Sequence, residues 1–215
     1  MTRVPDFSLE QESARIGLVI GLDEAGRGPW AGPVVAAAAW LDPARTPPAL
    51  LNGLDDSKVL HARARETLFA ALHAARQDGF AAFAIAEASV TEIDEINILQ
   101  ASLLAMRRAA ARLSENLHAP PATALVDGNK APDLACSVRT VIKGDSLSLS
   151  IAAASILAKV TRDRAMRELA TRHPGYGWER NMGYGTAEHR RGLDTLGVTA
   201  QHRRSFHPIR ERLIA

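Results

Sequence analysis

Two apolar runs near the start of the chain, Ile16 to Leu22 and Val34 to Trp40, have no long helix between them. The connecting residues read Asp-Glu-Ala-Gly-Arg-Gly-Pro-Trp-Ala-Gly-Pro from Asp23 to Pro33, a glycine- and proline-rich turn. The runs therefore read as consecutive antiparallel strands, and Phe80 to Glu87 as a third. His61 to Gln77 has helical spacing, with Leu68, Leu72 and Ala75 on one face. A second helix is expected from Thr91, whose hydroxyl would cap while Asp94 reaches back, to about Leu113. Ala124 to Asp127 and Val138 to Lys143 read as short strands, and Ser150 to His173, Thr186 to Leu196 and Pro208 to Leu213 as helices. This order predicts an α/β fold, a mixed sheet with helices on its faces.

The turn after the first strand carries chemistry. Asp23 and Glu24 are adjacent carboxylates suited to a hard divalent cation, and Arg27 and the backbone N–H groups beside them can grip a phosphate or sugar. Neighbouring side chains on a strand face opposite ways, so the two acids meet on one ion only where the strand twists or ends. The same grammar recurs twice. Asp127 ends a strand in Leu-Val-Asp-Gly-Asn, and Asp145 follows one in Val-Ile-Lys-Gly-Asp-Ser. Asp beside Gly is common in ordinary turns. Repetition at three strand ends instead suggests an oxygen-only cluster for Mg2+ or Mn2+, with two ions able to serve an in-line phosphodiester displacement.

The 215 residues suffice for one good core, and no apolar run approaches the roughly 20 residues of a membrane span. Asp6, Glu10 and Glu12 precede any apolar stretch, unlike the basic start of a secretory signal, so a cytoplasmic protein is expected. The single cysteine, Cys136, allows no internal disulfide or thiolate metal cluster. Charge is uneven: residues 159 to 215 hold 12 Lys plus Arg against 6 Asp plus Glu, while the preceding residues hold 14 against 18. A basic flank beside a carboxylate-rich centre suits a polyanionic partner.

Several segments together resemble bacterial ribonuclease HII. They are Gly21-Leu22-Asp23-Glu24-Ala25-Gly26-Arg27-Gly28-Pro29, Asp55-Asp56-Ser57-Lys58, Ile93 to Leu99, Val126-Asp127-Gly128-Asn129, Lys143-Gly144-Asp145 and Ser150 to Asp163. The resemblance runs in family order over nearly the whole chain, excluding roughly the first fifteen residues. It implies a ribonuclease H-like five-stranded sheet, with residues 16–170 as the catalytic domain and 171–215 as a small helical substrate-binding extension. The implied activity is cleavage of the RNA strand of RNA–DNA hybrids and nicking of DNA 5′ of an embedded ribonucleotide, leaving 3′-hydroxyl and 5′-phosphate ends. Asp23, Glu24, Asp127 and Asp145 match the family's metal-binding acids, for Mn2+ or Mg2+.

By the same resemblance, Gly26, Arg27 and Gly28 match the family's sensor of the ribonucleotide, a task for which glycine allows close approach to the 2′-hydroxyl. Tyr184 resembles the tyrosine that stacks on the following deoxyribose, with Tyr176 as its rival. Ser57 and Lys58 are expected on the substrate backbone, and Lys143, Lys159 and Arg162 are further candidates there. His189 and His202 read as surface residues or as groups serving proton transfer, and Asp163 as a brace for Arg162 or its helix. The partners implied are RNA–DNA hybrid and ribonucleotide-containing duplex DNA, bound by a monomer with no membrane contact. Arg210 to Ala215 offers no clear motif for a sliding clamp.

Overall fold

The computed structural model describes residues 4–14, 17–57 and 59–214. Five strands form one sheet: β1 (Leu18–Ala25), β2 (Val34–Leu41), β3 (Ala81–Ala88), β4 (Pro121–Asp127) and β5 (Ser137–Val141), in the order β3-β2-β1-β4-β5. β1 and β2 pair antiparallel across a short loop, β3 adds antiparallel to β2 after a helical connection, and β4 and β5 continue the sheet parallel to β1. The mixed sheet follows from that switch.

Helices cover both faces. α1 (Ser8–Ser13) and α2 (Pro48–Leu51) are short, and α3 (Ala62–Gln77) and α5 (Leu149–Arg172) share one core with β2 and β3. α4 (Val90–Ser114) covers the other face, packing Ala101, Ala105 and Ala109 on Ile20, Ala36 and Ala124. The first part of α5, Leu149 to Ala158, is buried on every side, whereas its charged second part buries one face, against the chain's last elements. Those elements are α6 (Trp178–Asn181), α7 (Ala187–Leu196) and α8 (His207–Ile214). Tyr176, Trp178, Leu193 and Ile209 pack on Met166 and Leu169 of α5 and on Ala31, forming a third core. Among the described residues, no helix is long and apolar enough to cross a membrane.

α4 begins earlier than its sequence suggests, and with a different cap. Ser89 accepts from the Glu92 N–H, and Glu92 accepts from the Ser89 N–H at 2.8 Å, a reciprocal box that outcompetes Thr91 and Asp94. Asp94 is thereby released for a distant task. It accepts from the N–H groups of Arg204 and Ser205 and from the Ser205 hydroxyl, tying α4 to the C-terminal segment. α4 also breaks at Asn97, whose φ of 67° leaves the helix and whose side chain accepts from the Leu99 and Gln100 N–H groups.

Candidate active site

The parallel pairing of β1 and β4 sets the site. Leu22 lies opposite Val126, so Asp23, two residues before the end of β1, comes beside Asp127, the last residue of β4. β5 lies alongside β4 with Val141 opposite Asp127. Beyond it the chain turns back through Lys143, in the left-handed conformation, into a 3-10 turn (Gly144–Ser146) that carries Asp145. The Gly144 N–H donates to Asp127 Oδ1 at 2.7 Å, joining the two acidic turns. Oxygens of Asp23, Asp127 and Asp145 all lie within 4.8 Å of one another. Asp23 and Asp145 are buried. Like charges at this spacing repel strongly, whereas an oxygen-only set of this kind is a ligand shell for a hard divalent cation.

Glu24 takes a different direction from Asp23. β1 stays extended through Ala25, so alternation separates the adjacent carboxylates, and Glu24 pairs with Arg27 at 3.4 Å. It still lines the cleft of about 280 Å³ that holds Asp23, Asp127, Gly26 to Gly28, Ser57, Ser155, Lys159 and Tyr184.

The loop after β1 is held by two buried arginines. Arg162 donates to the carbonyls of Ala31, Pro33 and Met182, and Arg203 to those of Gly26, Arg27, Gly32 and Pro33, at 2.6–3.2 Å. Burial, compounded for Arg203 by its neighbour Arg162, pushes their pKa values down to about 10 and about 9. Both guanidiniums remain cationic at neutral pH. Arg162 is therefore a strut inside the protein, correcting its expected place on a substrate phosphate. Gly26 has φ +99°, and a Cβ there would overlap the Arg162 side chain.

Tyr184 is half exposed in the cleft, where a Cβ on Gly28 would meet its ring at 3.3 Å. Tyr176 is buried, stacked on Trp178, and donates its hydroxyl to the Gly197 carbonyl at 2.8 Å. His189 and His202 are fully buried, which corrects their reading as surface residues. Their Nε2 atoms lie 3.0 Å apart. His202 Nδ1 accepts from the Thr199 N–H, so its Nε2–H donates to His189. His189 Nε2 also accepts from Trp178 Nε1–H, and its Nδ1–H donates to the Tyr184 carbonyl at 3.0 Å. Every ring nitrogen is thus used with both imidazoles neutral. Burial lowers both pKa values, that of His202 to about 3.

Ser57 is buried at the cleft, sharing a hydrogen bond with Ser155 at 2.7 Å, while Lys58 lies outside the described residues. Lys159 lines the cleft and pairs with Asp163, four residues on, at 2.7 Å, so Asp163 braces its own helix, with Arg65 at 3.8 Å. Burial pushes the Cys136 thiol up, away from thiolate chemistry. Arg203 and Ser155 were not singled out from sequence. Arg203 stands among several basic residues, and only the fold distinguishes it.

A mixed sheet of this order, with carboxylates gathered at adjoining strand ends, defines a ribonuclease H-type nuclease. The family model described as ribonuclease HII matches residues 20–209. A ribonuclease HII from Rhodospirillum rubrum is 58% identical over 98% of this chain and 92% of its own length. One from Paramagnetospirillum magneticum is 56% identical over 98% and 100%. The crystal structure of ribonuclease H2 from Pyrococcus horikoshii OT3 superposes with a TM-score of 0.70 at 27% identity, covering 90% of this chain and 96% of that one. The chain belongs to the ribonuclease HII family, and it is an endoribonuclease.

Proposed function

We propose that Asp23, Asp127 and Asp145, joined by Glu24 in exchange for Arg27, hold the divalent cations with which this ribonuclease cleaves the RNA strand of RNA–DNA hybrids. The observation that carries the reading is the convergence of three carboxylates within 4.8 Å at the ends of parallel strands. Bound Mg2+ or Mn2+, two ions in the working complex, would supply Lewis-acid polarisation of the scissile phosphodiester.

The chain's own residues then choose the bond. Gly26 to Gly28 present backbone to the sugar, and only a ribose answers with a 2′-hydroxyl that both donates and accepts. Arg203 fixes where that backbone lies by holding the Gly26 and Arg27 carbonyls. Tyr184 offers its half-exposed ring to the deoxyribose that follows. Such a reader supports nicking on the 5′ side of a single embedded ribonucleotide, leaving 3′-hydroxyl and 5′-phosphate ends. Ser57, Lys58 and Lys159 favour the substrate backbone, and one chain supplies every residue named, in keeping with a monomer in the cytoplasm.

The test is a duplex DNA holding one ribonucleotide, incubated with Mg2+ or Mn2+ and resolved on a sequencing gel. A nick on the 5′ side of the ribonucleotide is expected, and an uncut duplex would overturn the reading.

A further inference from the structure

Residues 4–13 lie outside the stretch matched by the family model, yet Asp6 and Glu10 are bonded to the segment 147–150, directly after the turn that carries Asp145. Asp6 bridges Ser148: its N–H donates to the Leu147 carbonyl, and its carbonyl accepts from the Leu149 N–H, each at 3.3 Å. Asp6 Oδ1 accepts from the Ser8 N–H at 2.8 Å and so starts α1. Phe7 and Leu9 seat the segment on two apolar clusters. This places Glu10 against the first turn of α5, where its carboxylate is 5% exposed.

One carboxylate oxygen does two jobs there. Glu10 Oε1 accepts from the Ser148 hydroxyl at 2.6 Å and from the Ser150 N–H at 2.9 Å. Ser148 in turn caps α5 by accepting from the Ile151 N–H, and its own N–H donates to the Gly144 carbonyl at 2.8 Å. Gly144 opens the 3-10 turn that carries Asp145 and donates to Asp127. A path of four hydrogen-bonded residues therefore runs from Glu10 to two of the clustered acids. The other oxygen, Oε2, is buried with no hydrogen-bond partner, and so is the Ser150 hydroxyl. An unsatisfied buried oxygen costs free energy.

We infer that Glu10 is a positioning residue for the metal site: by fixing Ser148 and the first turn of α5, it holds Asp145 and Asp127 at the spacing a cation requires. Its negative charge also meets the positive end of α5, a favourable placement. Metal-ligand geometry is sensitive to such outer contacts, whose loss typically lowers affinity by about 10–100-fold. The inference rests on Asp127 and Asp145 being metal ligands.

The experiment is titration of the full chain with Mn2+, following free ion by its paramagnetic resonance signal, with no nucleic acid present. Three variants are compared with the parent. Glu10→Ala removes the acceptor and should weaken Mn2+ binding about tenfold. Glu10→Gln keeps an acceptor oxygen for Ser148 and Ser150 and should restore most of the affinity. Glu12→Ala, on the same helix as Glu10, breaks only an exposed pair with Arg139 of β5 and should bind as the parent does. In turnover assays, Glu10→Ala should need more metal for half-maximal rate, with KM for the hybrid unchanged. Native Mn2+ affinity in folded Glu10→Ala would overturn the inference, as would equal losses in Glu10→Ala and Glu10→Gln. If Glu10→Ala does not fold, Ser148→Ala interrupts the same path and is read the same way. Asp145→Asn separates the two readings: unchanged Mn2+ binding there defeats the metal-ligand assignment itself, not the role of Glu10.

Discussion

The carboxylate cluster and the glycine loop share one cleft but are made rigid by opposite means. Asp23 and Asp127 are placed by strand register, and their spacing is set by backbone hydrogen bonds between β1 and β4. The loop from Gly26 to Pro33 has only a single antiparallel bridge, Ala31 to His202, in place of a strand ladder. Its carbonyls are gathered by Arg162 and Arg203, cations taken from the far end of the chain and held inside. Buried cations are costly unless their donors are satisfied, and seven hydrogen bonds to carbonyls supply that satisfaction. On the function proposed above, the chemistry rests on the sheet, and selectivity on a buried polar frame that a single substitution can loosen.

The largest expected effect separates these halves from the side of chemistry. Asp127→Asn keeps an oxygen to accept from the Gly144 N–H, so the fold should survive while turnover falls by at least about a hundredfold. Rates on a hybrid, together with gel-shift binding of a ribonucleotide-containing duplex, check this, and retained turnover would break the division.

Arg203→Ala attacks the other half. It strands the Gly26, Arg27 and Gly32 carbonyls, Arg162 still holding that of Pro33, and should lower stability by about 3 kcal/mol, read from urea unfolding. Arg203→Lys keeps the charge without the fork, so the preference for a ribonucleotide over DNA should drop more than the rate on a continuous hybrid.

A smaller effect follows from the histidine pair beside the loop. The unfolded chain takes up protons near the ordinary histidine value of 6.5, whereas folded His202 resists them down to about 3. The unfolded state therefore binds more protons in this window. Stability is full above about pH 6.5 and declines as pH falls, by about 1–2 kcal/mol between pH 7 and 5. Thermal midpoints across that range test it, and His202→Gln should flatten the slope.

Smallest is Tyr184→Ala. Removing an exposed stacking ring should cost about tenfold in kcat/KM on a single-ribonucleotide duplex, with Tyr184→Phe nearly unaffected. Equal rates for the parent and Tyr184→Ala would remove the ring from the reader.

The same contrast explains what could be read before the fold was known. Asp23, Asp127 and Asp145 are legible because each sits at a local junction of strand and turn, and a local pattern survives in one dimension. The five-stranded sheet was legible for the same reason. Glu24 shows the limit: sequence places it beside Asp23, but the strand continues through it and turns it toward Arg27. Arg162, a candidate for the substrate backbone from sequence, is buried because the segments that enclose it, around Ala31 and Met182, lie outside its own helix. The cap of α4 failed locally, since Ser89 and Glu92 form a better box than Thr91 and Asp94. Asp94 was then free to bind Arg204 and Ser205, a contact no local pattern announces.

Gly21 gives the cluster one more property. A Cβ there would overlap the backbone of Ser150 and Ile151, so β1 and α5 touch main chain to main chain, two residues before Asp23. No side chain lies in that gap to change rotamer or to be trimmed by mutation. The distance between Asp23 and the helix that follows Asp145 is therefore a fixed gauge, set by the thickness of two backbones. Core substitutions elsewhere can change how firmly the protein holds together while leaving the spacing of the clustered carboxylates the same.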